Sequence, residues 1–386
     1  MSRVLFISPQ PFFQWRGSPI RVSFDVQALS ENGCEVDLLT LPIGDEKHVP
    51  GVRVIRVNNP FGVKNISIGP SLLKAGFDVL LFVKAIQLIR EKKYDVIHGI
   101  EEAGFLAVVL ARIFKTKAVF EKHSDPFSYR SGFIKNAILT VYSKVESFTV
   151  RRANLVIGTG QGLAEQARVM GATCPVYNIF DIPSSLVEPD PEKAANIAIQ
   201  LKQHPDEVLI TFVGSFAVYQ GVDIMFSMIP HVVGKNPNAR FVIIGGSDAE
   251  IEDRKNQLRV AGVEKAVSFM KKIPPDDVPN YLTASDILIA PRIAGVNTPL
   301  KILDYFKAGG AIVATDIPSN RLILDDTTAV FARPDPESFG DAVLQLLGQP
   351  ELRKKLGQTG YEKYKTEFNF NEFKKLLRNA YNDVSL

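Results

Sequence analysis

Residues 286–315 read DILIAPRIAGVNTPLKILDYFKAGGAIVAT, and the patterns in this stretch decide the fold class. The apolar run over 286–290 is typical of a buried parallel strand, and a polar loop follows it. A short helix comes next, ended by Gly309 and Gly310, and a second apolar run covers 311–315. Strand, helix and strand in this order predict an α/β protein with parallel sheets.

Polar side chains cluster in the loop and in the first helical turn of this stretch. They are Arg292, Asn297, Thr298, Lys301 and Asp304. Open α/β sheets bind ligands at the carboxyl ends of their strands, and a helix N-terminus favours an anion. Two cations there suit a diphosphate, and a carboxylate one turn into the helix can accept hydrogen bonds from a ribose diol. An ordinary loop with a solvated Lys and Arg is the alternative that one loop alone leaves open.

Composition limits the class of protein. At 386 residues the chain is too long for one typical core, so we expect two domains. The formal net charge of +3 gives no argument for nucleic acid. Cys34 and Cys174 lie far apart without metal-ligand spacing, which favours a reduced setting. The sequence begins with a buried-type strand and has no run of about 18 uncharged apolar residues, so we expect a cytoplasmic location.

Short apolar runs alternate with longer helical patterns along the whole chain, and the series restarts after an extended stretch around 174–186. We therefore expect two doubly wound parallel-sheet domains that face each other across a cleft. The first, on the acceptor side, covers 1–182, and the second, which binds the nucleotide sugar, covers 190–368. A final helix over 369–386 is expected to pack back toward the first domain.

Each half opens with a strand, a glycine-containing loop and a helix. The first loop carries Gly17, and the second carries Gly214, Ser215 and Gln220. Neither loop has the dinucleotide fingerprint or the P-loop pattern. Two such glycines, together with the cationic loop at 291–301, favour a nucleoside diphosphate in the cleft.

His123 follows a strand end and is the candidate for a catalytic role, although a hydrogen-bonded structural histidine fits the same pattern. His98 also lies at a strand end and ranks lower. No Asp-x-Asp pair occurs, and no group of His and carboxylates has metal-ligand spacing. We therefore expect no cofactor and no obligatory metal, with Lys, Arg and backbone N–H groups neutralising the diphosphate.

At these residues the chain resembles the retaining glycosyltransferases of family 4, group 1, which have the GT-B architecture of two facing Rossmann-like domains. The most specific parts are 297–305 and 309–315, with support from Gly17, Arg21 and the stretches 94–98 and 219–223. The resemblance implies transfer of a sugar from a nucleotide-sugar donor to an acceptor, with the anomeric configuration kept.

The resemblance also implies roles for single residues. Asp304 stands where such enzymes hold the ribose, and His123 where a histidine touches the donor sugar. Gly17 would lie under the diphosphate, and the base near Ile273. The backbone amides at Thr298 and Leu300 would lie near the diphosphate.

The chain departs from the family pattern at three places. Val296 stands where a Glu usually contacts the donor sugar, and Asn297 is a candidate substitute. Ser215 and Gln220 stand where the family has an Arg and a Lys, and we hypothesise that Arg292 and Lys301 replace those cations. Pro299 leaves the loop one backbone N–H short.

The stretches 66–93 and 127–152 are apolar with interleaved cations. A core-facing helix with a solvated basic face explains this pattern, and so does a surface that docks on the inner face of a membrane to reach a lipid-linked acceptor. The expected partners are thus a nucleotide-sugar donor and a glycan or lipid-linked acceptor, and no nucleic acid. A nucleotide-sugar epimerase and a catalytically degenerate sugar-nucleotide-binding subunit stay open as alternatives.

Overall fold

The computed structural model describes residues 2–60, 62–66, 72–125, 133–271, 273–295 and 298–385 of the chain. The chain divides into two compact units. Unit 1 consists of Met1–Asp181 together with Phe370–Leu386, and unit 2 of Ile182–Asn369.

In the described part of unit 1, seven parallel strands form one sheet. They are β1 (Arg3–Ser8), β2 (Glu35–Thr40), β3 (Val52–Arg56), β4 (Val96–Ile100), β5 (Lys117–Lys122), β6 (Leu155–Gly158) and β7 (Val176–Asn178). Their order is β3-β2-β1-β4-β5-β6-β7, so the order reverses between β1 and β4. β1 and β4 are buried along nearly their whole length, as expected for a parallel sheet that is covered on both faces.

The helices of unit 1 cover this sheet. They are α1 (Gly17–Glu31), α2 (Leu72–Glu91), α3 (Ala103–Phe114), α4 (Phe133–Arg152), α5 (Gln161–Val169) and α14 (Phe370–Ser385). α14 packs on α1 through a buried stripe with helical spacing that includes Phe373, Leu377 and Tyr381. Asn32, just after α1, donates to the Lys374 carbonyl at 2.9 Å. This helix is therefore a part of unit 1, although unit 2 separates it from the rest in sequence.

In the described part of unit 2, six parallel strands form a second sheet. They are β8 (Val208–Val213), β9 (Ala239–Ile244), β10 (Val267–Met270), β11 (Ile287–Ala290), β12 (Ala311–Thr315) and β13 (Ala329–Ala332). Their order, β10-β9-β8-β11-β12-β13, repeats the Rossmann arrangement of unit 1, with the reversal between β8 and β11.

The helices of unit 2 enclose its own apolar core around Phe212, Phe241 and Phe339. They are α6 (Pro191–Leu201), α7 (Val222–Lys235), α8 (Asp248–Val260), α9 (Val278–Thr283), α10 (Leu300–Ala308), α11 (Pro318–Arg321), α12 (Pro336–Gly348) and α13 (Pro350–Glu367). Among the helices of the described residues, none combines the length and the apolar composition that a membrane crossing needs.

The expected linker at 174–186 begins later than the sequence suggests. Val176–Asn178 pairs with β6 and forms the edge strand β7, which is three residues long and too short to show a pattern. Residues 182–188 then lie against α10 of unit 2, as described below.

Candidate functional site

Unit 2 has two loops at the point where its strand order reverses, one after β8 and one after β11. Sheets of this kind bind ligands at such a point. The two loops are joined by a hydrogen bond from the Ile293 N–H to the Tyr219 carbonyl at 3.0 Å. Gly221 has a φ of 71° and lies so close to the Pro291 carbonyl that a Cβ would overlap it. Only glycine lets the two loops meet here.

Lys301 lies in the first turn of α10 and reaches the loop after β8. Its Nζ donates to Gln220 Oε1 at 2.8 Å and lies 4.2 Å from the centre of the Phe212 ring. A Cβ on Gly214 would lie 2.9 Å from this Nζ, so glycine leaves the ammonium group room. Burial and the positive charge of Arg292 lower the pKa of Lys301 to about 7. A bound anion would favour the charged form.

Arg292 follows β11, and its side chain folds back over its own loop. Its Nε donates to the Ala294 carbonyl at 2.6 Å, and its guanidinium carbon lies 5.8 Å from the centre of the Tyr219 ring. Gly295 has a φ of 127°, and a Cβ there would overlap the guanidinium group. The structure therefore brings the two cations hypothesised to hold a diphosphate to one strand end.

Asp304, which the resemblance assigns to the ribose, is hydrogen-bonded to Ser184. The Ser184 N–H donates to Oδ1 at 2.6 Å, and the Ser184 Oγ lies 2.9 Å from each carboxylate oxygen. Burial raises the pKa of Asp304 to about 6, and these hydrogen bonds oppose the rise. A ribose that bound here would have to share Asp304 with the Ser184 hydroxyl or displace it.

The other predicted residues at this end of the sheet are backbone contributors. Thr298 precedes α10, and Leu300 is its first residue. Pro299 at the N-cap makes no side-chain bond to the helix, so no cap competes for the first N–H groups of α10. Asn297 lies outside the described residues.

Two further donor-side candidates lie on other elements of unit 2. Ser215 is exposed in the loop after β8. Ile273 follows β10 and packs against the small apolar cluster of Leu209, Val242 and Ile244. Lys272, next to Ile273, lies outside the described residues.

Tyr305 and Lys307 of α10 were not singled out from the sequence, yet they fix this helix in place. The Tyr305 hydroxyl donates to the Ile289 carbonyl at 3.0 Å and lies 3.4 Å from the Val213 N–H, so it holds α10 against the ends of β11 and β8. The Lys307 ammonium group donates to two carbonyls of the 182–188 segment at 3.0 and 2.8 Å. Residues two apart in a helix lie on different faces, so these two side chains tie α10 down on two sides.

Unit 1 has the other predicted candidates near its own strand reversal. Gly17 is the exposed first residue of α1, and the N-cap, Arg16, makes no side-chain bond to the helix. The N-terminus of α1 is therefore open to an anion in the way that the resemblance implies for Gly17.

His123 directly follows β5 and is buried in a network of charged groups. Its Nε2 lies 3.1 Å from Glu121 Oε1, and its backbone N–H donates to Glu101 Oε1 at 2.9 Å. Arg21 of α1 lies on the same carboxylate, with its Nε 3.0 Å from Glu121 Oε1 and 3.2 Å from Asp25 Oδ1. Burial would lower the pKa of His123, but the Glu121 hydrogen bond and the carboxylates of Glu121 and Glu101 outweigh it and raise that pKa.

His98, which ranked lower on sequence, belongs to the same network. Its Nδ1 is 2.7 Å from the Tyr381 hydroxyl of α14, and its Nε2 is 3.0 Å from Glu121 Oε2. Burial lowers the pKa of His98 although Glu121 opposes the change. The sequence could not pair these histidines with Glu121 and Arg21, because charged residues in a strand and a helix are expected to face solvent.

Asp25, Glu121 and His123 lie within 4.8 Å of one another, a spacing that a metal ion can use. The sequence reading found no such group because the residues come from α1 and β5. However, the Arg21 guanidinium already lies between the two carboxylates. These residues are therefore neutralised by a protein cation, and they fit a metal poorly.

Both units match known protein families. Residues 207–349 match the family described as glycosyl transferases group 1, and residues 17–177 match the glycosyl transferase 4-like domain. The two matches cover the loops that carry the candidate residues in unit 2 and in unit 1.

Relatives of known or assigned class are distant in sequence. The gpi3 subunit of phosphatidylinositol N-acetylglucosaminyltransferase from Schizosaccharomyces pombe is 22% identical over 304 residues, which are 77% of this chain and 62% of the relative. This chain thus spans less than two thirds of that protein's length. An uncharacterized glycosyltransferase of Methanocaldococcus jannaschii is 24% identical over 367 residues, or 88% of each chain. The alpha-D-kanosaminyltransferase of Streptomyces kanamyceticus is 23% identical over 75% of this chain and 76% of its own.

Solved structures share the fold over the whole chain. The sucrose-phosphate synthase of Thermosynechococcus elongatus superposes with a TM-score of 0.78 at 20% identity, covering 99% of this chain and 98% of its own. Anabaena HepE in complex with UDP gives a TM-score of 0.77 at 14% identity and covers all of both chains. With two Rossmann-like sheets, two family matches and these shared folds, the chain belongs to the family 4, group 1 glycosyltransferases, which have the GT-B fold.

Proposed function

We propose that this protein transfers a sugar from a nucleotide-sugar donor to an acceptor, with retention of the anomeric configuration and without an obligatory metal. One observation carries the donor side of the proposal. At the strand reversal of unit 2, the open N-terminus of α10 lies beside Lys301, which Gln220 holds, and near Arg292. Helix N–H groups and two cations at one place suit a diphosphate.

The position of the cation in this chain supports the proposal. The family has a Lys where this chain has Gln220, and here Gln220 accepts a hydrogen bond from Lys301 at 2.8 Å. The cation thus comes from α10 and is held by the loop that carries it in other members. UDP is the ligand in the HepE structure, which agrees with a nucleoside diphosphate as the ligand class.

The chemistry follows from a leaving group stabilised by fixed charges. As the bond from the sugar to the diphosphate breaks, negative charge develops on the phosphate oxygens, and preorganised N–H groups and cations stabilise it. The acceptor hydroxyl enters on the face that the diphosphate leaves, and a leaving phosphate oxygen takes its proton. This front-face route needs no covalent enzyme intermediate and no metal.

A thermal-shift screen with UDP, GDP, ADP, CMP and dTDP and their sugars, with and without EDTA, tests the donor side. A ligand at about 100 times its Kd stabilises the fold by ~2.7 kcal/mol, which is readily measured. We expect one base to raise the melting temperature equally with and without EDTA. A rise that EDTA abolishes would refute metal independence, and no rise with any donor would count against a site for these nucleotide sugars.

The anomeric configuration of the product tests the mechanism. Proton NMR of the first product formed from the identified donor is expected to show the configuration of that donor. An inverted product would require a general base and would replace the front-face route.

For the acceptor, we propose a lipid-linked molecule reached from an anionic membrane surface. α4 carries an exposed apolar stripe in which Val141 is 63% and Phe148 is 42% exposed, with Val145 between them. Phe105 of α3 lies beside it, at 6.0 Å between ring centres from Phe148. The same face carries three exposed cations, Lys144, Arg151 and Arg152. A helix that only packed inward would not present this stripe to solvent.

Apolar side chains beside cations are the pattern that binds anionic interfaces. The fission-yeast relative is a subunit of a phosphatidylinositol N-acetylglucosaminyltransferase, which agrees with a lipid acceptor. Parts of the stretches at 66–93 and 127–152, namely 67–71 and 127–132, lie outside the described residues.

Co-sedimentation with phosphatidylglycerol–phosphatidylcholine vesicles tests this surface. Replacing Val141 and Phe148 by Ser should weaken binding by about tenfold or more, because two apolar side chains no longer enter the interface. Val260→Ser, at a site on α8 of unit 2 that is 92% exposed, is the control. Binding that does not depend on phosphatidylglycerol content would refute the proposal.

A further inference from the structure

The carboxylate of Glu121 lies between two histidines and an arginine at the end of β5. Its Oε1 is 3.1 Å from His123 Nε2 and 3.0 Å from Arg21 Nε. Its Oε2 is 3.0 Å from His98 Nε2, at an angle away from the hydrogen-bond optimum. All four side chains are buried. Each oxygen of one carboxylate thus meets a different imidazole.

This arrangement decides which nitrogen of each ring carries the proton. An ionised carboxylate has only acceptor sites, so a ring nitrogen that faces it at about 3 Å is stable only as N–H. Both His98 and His123 therefore present Nε2–H to Glu121. For a neutral His98 the other nitrogen, Nδ1, is then an acceptor for the Tyr381 hydroxyl at 2.7 Å.

The ionised state of Glu121 follows from its surroundings. Burial would raise the pKa of Glu121, but the Arg21 guanidinium and the two histidines outweigh burial and hold it well below its ordinary range. For the neighbouring Asp25, burial dominates and raises the pKa well above its ordinary range. Glu121 is thus the carboxylate that keeps its charge.

The pKa values of the two histidines shift in opposite directions, although Glu121 favours the charged form of both. The pKa of His98 is lowered by burial, whereas that of His123 is raised because a second carboxylate, Glu101, adds to Glu121. Charged and titratable groups reach this centre from α1, β4 and β5 with their following loops, α4, α14 and the segment after β7. They are Arg21, Asp25, His98, Glu101, Lys122, Asp125, Tyr142, Glu146, Asp181 and Tyr381. Two groups with opposite shifts at one site are the usual sign of an acid and a neutral partner.

We infer that Glu121 is the positioning residue for His123, holding the Nε2–H side of its ring and favouring its imidazolium form, while His98, bonded to Tyr381, lies against the other carboxylate oxygen. The inference rests on the proposed function for the role of His123 at the donor sugar. In this role His123 is a fixed cationic hydrogen-bond donor and does not act as a base. Tyr381 extends the network to α14, so this helix takes part in orienting the ring.

The opposite face of β5 supplies a matched control. Lys122, the residue between Glu121 and His123, is buried there and pairs with Glu146 of α4. Glu146 is a buried carboxylate paired with a cation, as Glu121 is, but Glu146 is not among the main influences on the pKa of His123. Glu146→Gln should thus perturb β5 as much as Glu121→Gln does, with a much smaller change in the electrostatics at the ring.

The first test uses the unaltered protein and nitrogen-15 NMR of its histidine side chains. The chain has five histidines, so His98→Asn and His123→Asn assign both rings. We expect Nε2–H on both, and a His123 pKa above its ordinary value of about 6.5. A His123 ring with the proton on Nδ1 alone, or a pKa at or below that value, would overturn the inference.

The second test compares the pKa of His123, measured by the same NMR signals, in two variants. Glu121→Gln should lower the measured pKa of His123 by about 1 or more, since it removes the nearest opposite charge. Glu146→Gln should leave that pKa within a few tenths. Equal changes in the two variants would mean that only the order of β5 matters, and Glu121 would not be a positioning residue.

The third test relates the protonation of His123 to the rate of sugar transfer. A raised histidine pKa means that the imidazolium is present below that pKa and is lost as the pH rises through it, so kcat should fall on the alkaline side. In Glu121→Gln this fall in kcat should occur at lower pH, shifted by the change measured in the His123 pKa, while nucleoside-diphosphate affinity stays unchanged. If no donor supports transfer, the proposed function fails and the NMR tests still decide the inference. If transfer occurs and kcat falls at the same pH as in the unaltered protein, the inference fails and the proposed function stands.

Discussion

Lys301 combines two properties that together predict how a diphosphate would bind. It lies at the N-terminus of α10 on Gln220, and burial with the Arg292 charge lowers its pKa to about 7. A lysine that has lost much of its charge in the free protein regains it when an anion arrives. Binding should therefore be coupled to a proton.

Replacing Arg292 or Lys301 by Ala should weaken nucleoside-diphosphate binding by roughly 1.5–3 kcal/mol, the scale of hydrogen bonds to charged groups. Titration calorimetry measures this. Around pH 8, binding to the unaltered protein should also take up close to one proton, seen as a heat that depends on the buffer. Lys301→Arg, always protonated, is the matched control and should bind without uptake. Unchanged affinity in both alanine variants would contradict the prediction.

Ser184 competes for Asp304 with any ribose that binds there. Ser184→Ala should therefore tighten binding of a ribose-containing nucleoside diphosphate by about 2- to 10-fold, the scale of one net hydrogen bond. The affinity should fall as the pH drops through about 6, because the Asp304 carboxylate becomes protonated there. A 2′,3′-dideoxynucleoside diphosphate is the control and should show neither effect. Weaker binding of the ribose form to Ser184→Ala would contradict the prediction.

The sequence identified some of the residues described above and missed the partners of others. Arg292 and Lys301 were identifiable because strand ends and helix starts have recognisable patterns. The partner of Asp304 was not, since Ser184 lies 120 residues away in an extended segment with no periodicity. The Glu121 network was hidden for a different reason. A Glu-Lys pair in a strand suggests one solvated face, whereas here each charge is buried with its own partner, Arg21 or Glu146.

At the scale of elements, contact between the loops after β8 and β11 depends on Gly221. Its φ of 71° is unfavourable for other residues, and a Cβ would overlap the Pro291 carbonyl. The two loops carry Gln220 and Arg292, so their separation would disrupt the proposed diphosphate site.

Gly221→Ala should lower the free energy of unfolding by more than about 2 kcal/mol, from the φ strain and the backbone overlap together. Gly234→Ala is the control, because Gly234 lies within α7 with nothing within 4 Å of a Cβ. That change should raise stability by about 0.5–1 kcal/mol. Urea unfolding of both variants measures the effect, and equal stabilities would show that the loops tolerate a side chain.

Most elements were predictable because the two sheets have long apolar strands, buried on both faces. The strands β1, β8, β11 and β12 follow the apolar runs closely. β7 was not predictable, since a three-residue edge strand gains its stability from β6 and not from its own sequence. The packing of α14 on α1 follows from its apolar stripe, but the Tyr381 hydroxyl bond to His98 does not.

At the scale of the whole molecule, unit 2 is a continuous segment and unit 1 is not. Residues 182–369 have their own sheet and core, and should unfold cooperatively when produced alone. Residues 1–181 alone lack α14, which buries Phe373 and Tyr381, and should lose the sharp thermal transition. Adding a peptide of residues 370–385 should restore it. Melting followed by circular dichroism tests residues 182–369, residues 1–181, and residues 1–181 with the peptide. A cooperative melt of residues 1–181 alone would contradict the prediction.

The placement of α14 also fixes the order in which the chain can be completed during translation. Residues 1–181 leave the ribosome before residues 370–385, and their unit cannot be completed until then, because Phe373 covers Arg21 and Tyr381 bonds to His98. Unit 2 emerges in between and has everything it needs. The unit that begins earlier in the chain is therefore completed after unit 2, and until then the apolar surface that α14 covers is exposed to chaperones and proteases.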